Sequence, residues 1–470
     1  MNTTSSIHIE SAAHRTLQKR EIGRRRSALC AFAEQIWANS SYEQTLFCIS
    51  VISVLLPNPY VGLVFFVLFA SFMLLYCSDI MTIFTPAMAL SLISTRLYSD
   101  YGVIWKYWYV LGIFAAALAA HFFLYRAPIR AGEMSKPLLA VSAATVFGGL
   151  GKIAAGQYFT PTALYYVMGL GLGMYLIYTL LLSQLRKKRT YDVLDRFLHT
   201  LYYAALLSGF VIVWTYIERF EEFLQIGSSI FIQYRNFCAT VMLLGLPCIF
   251  MPKKSLKRRI AGGSFLYICL LFSGSRSGLF FGALELVAGF VWMLSHCTIE
   301  RCRKILRVAL PVIPVLVCGV ILAATALFES RLIDGALISQ NDSRYTFFQQ
   351  GISDFLTAPL FGWGLGNMKN SAIFLGVPGS IVWYHNIIAQ VLGSMGLLGA
   401  VGYGWLYLKR FRLLIERRSC KMMIACFCIG GMLLIDMTNP GEICPFPSAF
   451  IMTSLFAVIE LLPKRYAFIR

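Results

Sequence analysis

The chain has 470 residues, 58% of them hydrophobic and only 13% charged. Soluble domains run nearer half apolar and a quarter charged, so an ordinary soluble enzyme, a disordered chain and a small disulfide scaffold are excluded. Forty-one basic residues against 22 acidic give a net charge of +19. The excess sits in clusters between apolar runs (Lys19–Arg26, Arg186–Arg189, Lys253–Arg259, Arg301–Arg307, Lys409–Lys421, Lys464–Arg470), which is the pattern of cytoplasmic loops rather than of a nucleic-acid surface.

The first 43 residues are polar and basic and read as a cytoplasmic tail, 1–43. A spanning helix needs about 20 apolar residues. Turn residues and charge clusters cut the next part, 44–328, into spans near 45–56, 61–77, 80–95, 104–124, 138–151, 161–183, 199–217, 229–251, 260–273, 277–297 and 307–328. The 45–56, 138–151 and 260–273 runs are short enough to be tilted, broken or re-entrant. A long polar connection follows, 329–384, read as an extracytoplasmic loop. Within it Tyr345, Phe348, Ile352 and Phe355 recur at helical spacing, which predicts a short amphipathic helix over Ser343–Leu356 lying at the outer membrane surface. Pro359 and the glycines up to Gly366 end that helix. The C-terminal membrane helices, 385–470, read as spans near 385–408, 421–437 and 446–462. The fold class is therefore all-α, a polytopic transmembrane helix bundle of about 12–14 spans with one long outer loop.

With the tail inside, the basic clusters after residue 183 all fall inside. The Glu218–Glu222 loop, the Gly274–Arg276 turn and the long loop fall outside. Eight of the 13 cysteines lie within apolar runs, and only Cys444 falls on an outer loop, so a disulfide framework is not expected.

Of six histidines, only His385 falls on the outer side, where an imidazole that titrates near pH 6.5 can act as a general base. Three arginines share that side: Arg276 in a Ser-Gly-Ser-Arg-Ser-Gly turn, Arg235 about two turns into an apolar run, and Arg344 in the long loop. Arginine within a span is expensive and marks a functional site by default. Guanidinium is also the preferred partner of phosphate oxygens. A histidine base beside such a cluster suggests a lipid-linked diphosphate substrate, with the base deprotonating an acceptor hydroxyl. No Asp-x-Asp pair, G-x-S-x-G or P-loop motif is present.

The stretch Ser343-Arg344-Tyr345, Gly351 and Pro359-Leu-Phe-Gly-Trp-Gly-Leu-Gly-Asn367 resembles the outer-loop signature of the O-antigen ligase and O-antigen polymerase superfamily. His385-Asn386, Gly393 and Gly396-Leu-Leu-Gly399 resemble that family's histidine-bearing helix, and Ser273–Gly278 its arginine turn. The resemblance implies a metal-independent membrane glycosyltransferase with no cofactor. It would move a glycan from an undecaprenyl-diphosphate carrier to a glycan or lipid acceptor, at the outer face of the bacterial cytoplasmic membrane. By motif, His385 would be the base and Arg276 and Arg235 would bind diphosphate. Arg344 would orient donor or acceptor, with Asn386 beside them. Ligase and polymerase are not separable on these motifs. A polysaccharide or lipid flippase, or a secondary transporter, is the alternative; such proteins often carry inverted repeats and midplane sites, and no such symmetry is visible. A non-catalytic envelope scaffold is the third reading.

Overall fold

The computed structural model describes residues 27–97, 108–187, 189–226, 230, 234–251, 255–296, 300, 336–370, 382–444 and 446–464. The expected span at 307–328 and most of the basic tail lie outside them. The chain divides into two compact units, Met1–Ala127 and Pro128–Arg470, a division inside the stretch read from sequence as one bundle.

Unit 1 holds α1 (27–38), α2 (Tyr42–Leu55), α3 (Pro59–Tyr76), α4 (Ile80–Ser94, opening with a 3-10 turn) and α5 (Trp108–Leu124). Helix α3 starts where Asn58 accepts from the Tyr60 N–H and Pro59 fills the first helical position. His121 is buried, its Nδ1 2.8 Å from the Leu74 carbonyl oxygen.

Unit 2 carries α6 (Ser135–Ala144), α7 (Pro161–Leu185, with a π turn at Met168–Gly173), α8 (Val193–Glu218), α9 (Phe220–Ile226), α10 (Arg235–Phe250), α11 (Leu256–Phe272), α12 (Arg276–Ser295), α13 (Ala336–Thr357), α14 (Ile387–Glu416), α15 (Met422–Asp436) and α16 (Phe446–Glu460). Side chains cap several of these at the N-terminus: Thr160, Asp192, Ser255, Ser275 and Asn386 each accept a backbone N–H of the first turn. Pro247 turns the end of α10 into a 3-10 segment, Leu246–Phe250, because it lacks the N–H an α-helix needs.

Among the described residues, five helices are long and apolar enough to cross a membrane: Pro59–Tyr76, Ala163–Leu185, Val193–Glu218, Arg276–Ser295 and Ile387–Glu416. Six shorter apolar helices accompany them. The expected run at 138–151 forms α6 and a π turn ending at Gly149.

The amphipathic helix exists and is longer than expected, but another face is buried. Phe347, Gly351 and Asp354 turn inward, whereas Tyr345, Phe348 and Leu356 are exposed. Gly351 decides this. A Cβ there would lie 2.9 Å from Ala389 and 3.1 Å from the Tyr384 ring, so its face allows the closest approach to α14.

Helix α14 is broken at Gly396, where φ +61° and ψ −153° leave the helical region. The Gly362–Gly366 loop repairs the break. Trp363 N–H donates to Gly393 O (2.8 Å), Gly364 N–H to Ser394 O (2.9 Å) and Leu397 N–H to Pro359 O (2.7 Å). Irregular backbone at membrane depth persists only where protein satisfies it in this way. The loop can run so close because Gly362, Gly364 and Gly366 take φ of +66°, +100° and +77°. These glycines therefore do more than end α13: they splice the outer loop onto α14.

Past the break, 397–416 runs about 30 Å through unit 2. At the Arg417 end, the charge clusters meet. Glu133 takes Lys409 at 2.8 Å and Arg417 at 2.7 Å, with Lys464 at 3.6 Å. Lys421 reaches Asp192 and Asp195 at 2.9 and 2.6 Å, and Arg186 reaches Glu460 at 3.4 Å. Burial alone would raise the Glu133 carboxyl, but these cations outweigh it and hold the pKa low. Clusters far apart in sequence, each read as lying on one side, thus share one end.

Candidate functional site

The opposite end gathers the histidine and arginines. Ser273, Gly274 and Ser275 form the turn before α12. Gly274 has φ +70°, and the Ser275 hydroxyl caps Gly278 N–H at 3.3 Å. Arg276 is the first residue of α12 and is exposed. The Ser275 hydroxyl also donates to Asn236 Oδ1 at 3.4 Å, tying this turn to the start of α10.

Arg235 is the first residue of α10. That corrects its expected place two turns into a span. Its backbone begins the helix rather than lying within it. Arg235 and Arg276 each begin a helix beside the Asn236–Ser275 contact. Helix N-termini carry partial positive charge, and both arginines add to it.

Arg344 is an exposed residue of α13. The protein around its guanidinium, and then the like charge of Arg276, push its pKa down. Among the described residues, no carboxylate pairs with Arg276 or Arg344. Arg344 also acts on His385. Burial first, then Arg344, lower the His385 pKa below 6.5, and a hydrogen bond to Asn439 offsets this only in part. Arg276, Arg344 and His385 thus form a chain of mutually repelling groups, each within electrostatic reach of the next.

His385 sits at φ +54°, the one non-glycine with positive φ among the described residues. A side chain in the left-handed region costs about 1–2 kcal/mol, so its surroundings must impose it. Tyr384, completely buried, anchors the preceding residue. Its hydroxyl donates to Asp354 Oδ2 at 2.6 Å and its N–H to Gln390 Oε1 at 2.9 Å. Gly351 and Gly393 leave room for its ring, which a Cβ at either would strike. Burial, and then the Asp354 charge, keep the Tyr384 phenol protonated. Asp354 is fully buried and also accepts from Gln350 Nε2 at 2.6 Å and Lys369 N–H at 3.0 Å. The Phe347 ring stands 5.5 Å from the imidazole.

Asn386 follows. Its Oδ1 caps Ile388 and Ala389 N–H at 2.9 and 3.1 Å, and its Nδ2 donates to Met437 O at 2.9 Å. All of these Asn386 side-chain contacts are to backbone, at the residue next to His385. The helix accordingly starts at Ile387, two residues after the expected boundary.

His199 and His296 stand away from this cluster, each with Nδ1 close to a carbonyl of its own helix, Asp195 O at 2.8 Å and Trp292 O at 2.9 Å. The motif reading missed Asp354, Tyr384 and Asn439. Asp354 had a signal: it is a carboxylate in register with Phe347 and Gly351, where a buried acid needs partners. Asn439 had none, because a contact between positions 54 apart depends on tertiary folding.

The fold and this cluster define a helical integral membrane protein with a cationic, histidine-bearing site at one end. Residues 261–404 match the family model described as O-antigen ligase, so the chain carries an O-antigen ligase domain there. The match covers less than a third of the chain and supports, in general terms, a membrane protein of the glycan-transferring ligase or polymerase kind. The matched stretch includes Arg276, Arg344, His385 and Asn386, and leaves out Arg235 and Asn439. No curated protein matches the chain.

Proposed function

We propose that the protein is a membrane glycosyltransferase working at the outer face of the bacterial cytoplasmic membrane, with its N-terminus inside. It transfers a glycan from an undecaprenyl-diphosphate carrier to a hydroxyl of a glycan or lipid acceptor, as a polysaccharide polymerase or an O-antigen-type ligase. The observation that carries this is the grouping of His385 with Arg344 and Arg276, cations without a carboxylate partner among the described residues.

In the reaction, His385 removes the acceptor hydroxyl proton. The oxygen attacks the anomeric carbon, and the bond from that carbon to the diphosphate oxygen breaks. The electron pair leaves on the diphosphate, whose growing charge Arg276, Arg235 and Arg344 stabilise. The products are the glycoside and the carrier diphosphate, and the imidazolium proton passes to solvent. A lowered His385 pKa keeps the ring neutral and able to accept a proton near pH 7. Arginines at helix starts supply charge without a metal, which makes metal independence part of the proposal. The exposed residues Phe280, Leu284, Val287 and Val291 line one face of α12 leading away from Arg276, a track that suits an isoprenoid chain.

The test is transfer from an undecaprenyl-diphosphate-linked glycan in proteoliposomes. Arg276→Lys should lose most activity while the protein stays folded, since an ammonium cannot reproduce the bidentate geometry. Undiminished transfer by that variant would remove Arg276 from the diphosphate site.

A further inference from the structure

The loop after α15 reaches His385 from outside the stretch that matches the family. Asn439 Oδ1 lies 3.2 Å from His385 Nδ1. The loop is pinned on several sides. Asn439 N–H donates to Ile435 O at 2.8 Å, and Gly441 N–H to Asn439 O at 2.6 Å. Glu442 N–H donates to Asp436 Oδ1 at 2.9 Å. The Glu442 carboxylate pairs with Arg410 of α14 at 2.7 Å and accepts from the Tyr407 hydroxyl at 3.1 Å. Arg410 and Glu442 are 5% and 4% exposed. Such a pair costs desolvation energy, and what it achieves here is to fasten the loop to α14. Asn386, the cap of the same helix, holds the loop at Met437 O. Asn439 is therefore presented to His385 from the frame of the helix that His385 precedes.

We propose that Asn439 is the positioning residue of His385: its amide oxygen accepts the Nδ1 proton and leaves Nε2 as the free base. This rests on His385 being the base. A neutral imidazole carries one ring proton, so a donor at Nδ1 requires a lone pair at Nε2. Orientation by a third group is the general logic of activated bases. The choice of an amide fits the surroundings. Among the described residues, the charged group facing the ring is Arg344 of α13, with Arg276 beyond it, while Phe347 packs beside it and the loop offers Asn439. A carboxylate at this place would hold the imidazolium proton. The amide fixes the tautomer without doing so.

The tautomer can be read without substrate. The full chain, with 15N-labelled histidine in lipid nanodiscs, gives the ring nitrogen shifts, and His385→Gln identifies its signal among the six histidines. Neutral His385 should carry its proton on Nδ1. Asn439→Leu should move it to Nε2. Asn439→Asp should keep it on Nδ1 and raise the pKa. In transfer from undecaprenyl-diphosphate-linked glycan, Asn439→Leu should lower kcat on the order of 10- to 100-fold with KM unchanged, the usual loss when an orienting partner is removed. Asn439→Asp should restore kcat, with its acid limb at higher pH. A wild-type proton on Nε2, an unaltered tautomer in Asn439→Leu, or Asn439→Asp as slow as Asn439→Leu would overturn the proposal. Full transfer by His385→Ala would overturn the parent reading instead, whatever the tautomer.

Discussion

At one end of unit 2, Lys409, Arg417 and Lys464 converge on Glu133, and Lys421 sits between Asp192 and Asp195. At the other end, Arg276 presses on Arg344 and Arg344 on His385, with no carboxylate paired to either arginine among the described residues. The first arrangement satisfies its charges internally and binds together segments from residue 133 to residue 464. The second holds like charges within electrostatic reach of one another, a repulsion that the diphosphate of the proposed function would relieve. Natural proteins break local rules of this kind at functional sites, and perturbed titration clusters there for the same reason.

The sharpest break in the comparison is His385→Ala, which should cost about 10²–10⁴ in kcat, the range of a positioned acid–base group, while Glu133→Gln should leave transfer nearly intact. Equal losses from both, measured in the same vesicles, would mean that the two ends do not differ in role. Next, Arg276→Lys and Arg344→Lys should each reduce kcat by roughly 10²–10³, as for a lost charge stabiliser. Arg276→Gln or Arg344→Gln, which remove the charge, should raise thermal stability above wild type without ligand, and a drop in stability would contradict the repulsion between them.

Breaking the buried pair with Glu442→Ala should destabilise the protein by about 3–5 kcal/mol, because Arg410 is left buried and unpaired. A double variant, Arg410→Met with Glu442→Leu, should recover much of that, as read by thermal unfolding in detergent. The smallest effect concerns pH. Since the His385 pKa is lowered, the neutral, proton-accepting ring persists below pH 6.5, and activity should fall only as pH drops through that depressed value. Arg344→Gln should move this limb to higher pH by removing a repelling charge. The Glu133 cluster also weakens on acidification, but the loss is of stability rather than of activity. Its carboxyl pKa is depressed, so its stabilisation is complete above the ordinary carboxylate range and is lost as pH falls through the lowered value.

Much of the helical layout was legible because a bilayer demands long apolar runs, and the turn signals between them are explicit. Start points such as Pro59, Pro161 and Ser275 are local chemistry, and the helices begin there. The sequence put His385, Arg276 and Arg344 on one expected side, and in the structure the Arg276 charge acts on Arg344 and the Arg344 charge on His385. What resisted reading depended on tertiary contacts. The inward face of α13 is chosen by Gly351 fitting Ala389 and Tyr384, which hydrophobic periodicity ignores. The role of Gly362–Gly366 depends on a break at Gly396 that only their hydrogen bonds make tolerable. Arg235 was misplaced because the apolar run continues ahead of it while the helix starts at it.

Under the proposed function, the histidine and arginine end performs glycan transfer. The most direct test compares wild type with His385→Ala, reconstituted with an undecaprenyl-diphosphate-linked glycan, reading released carrier diphosphate and product length together. Wild type should release carrier and the folded variant should lose nearly all release, with a ladder of products for a polymerase or one discrete product for a ligase. Carrier release by His385→Ala at the wild-type rate would contradict that function.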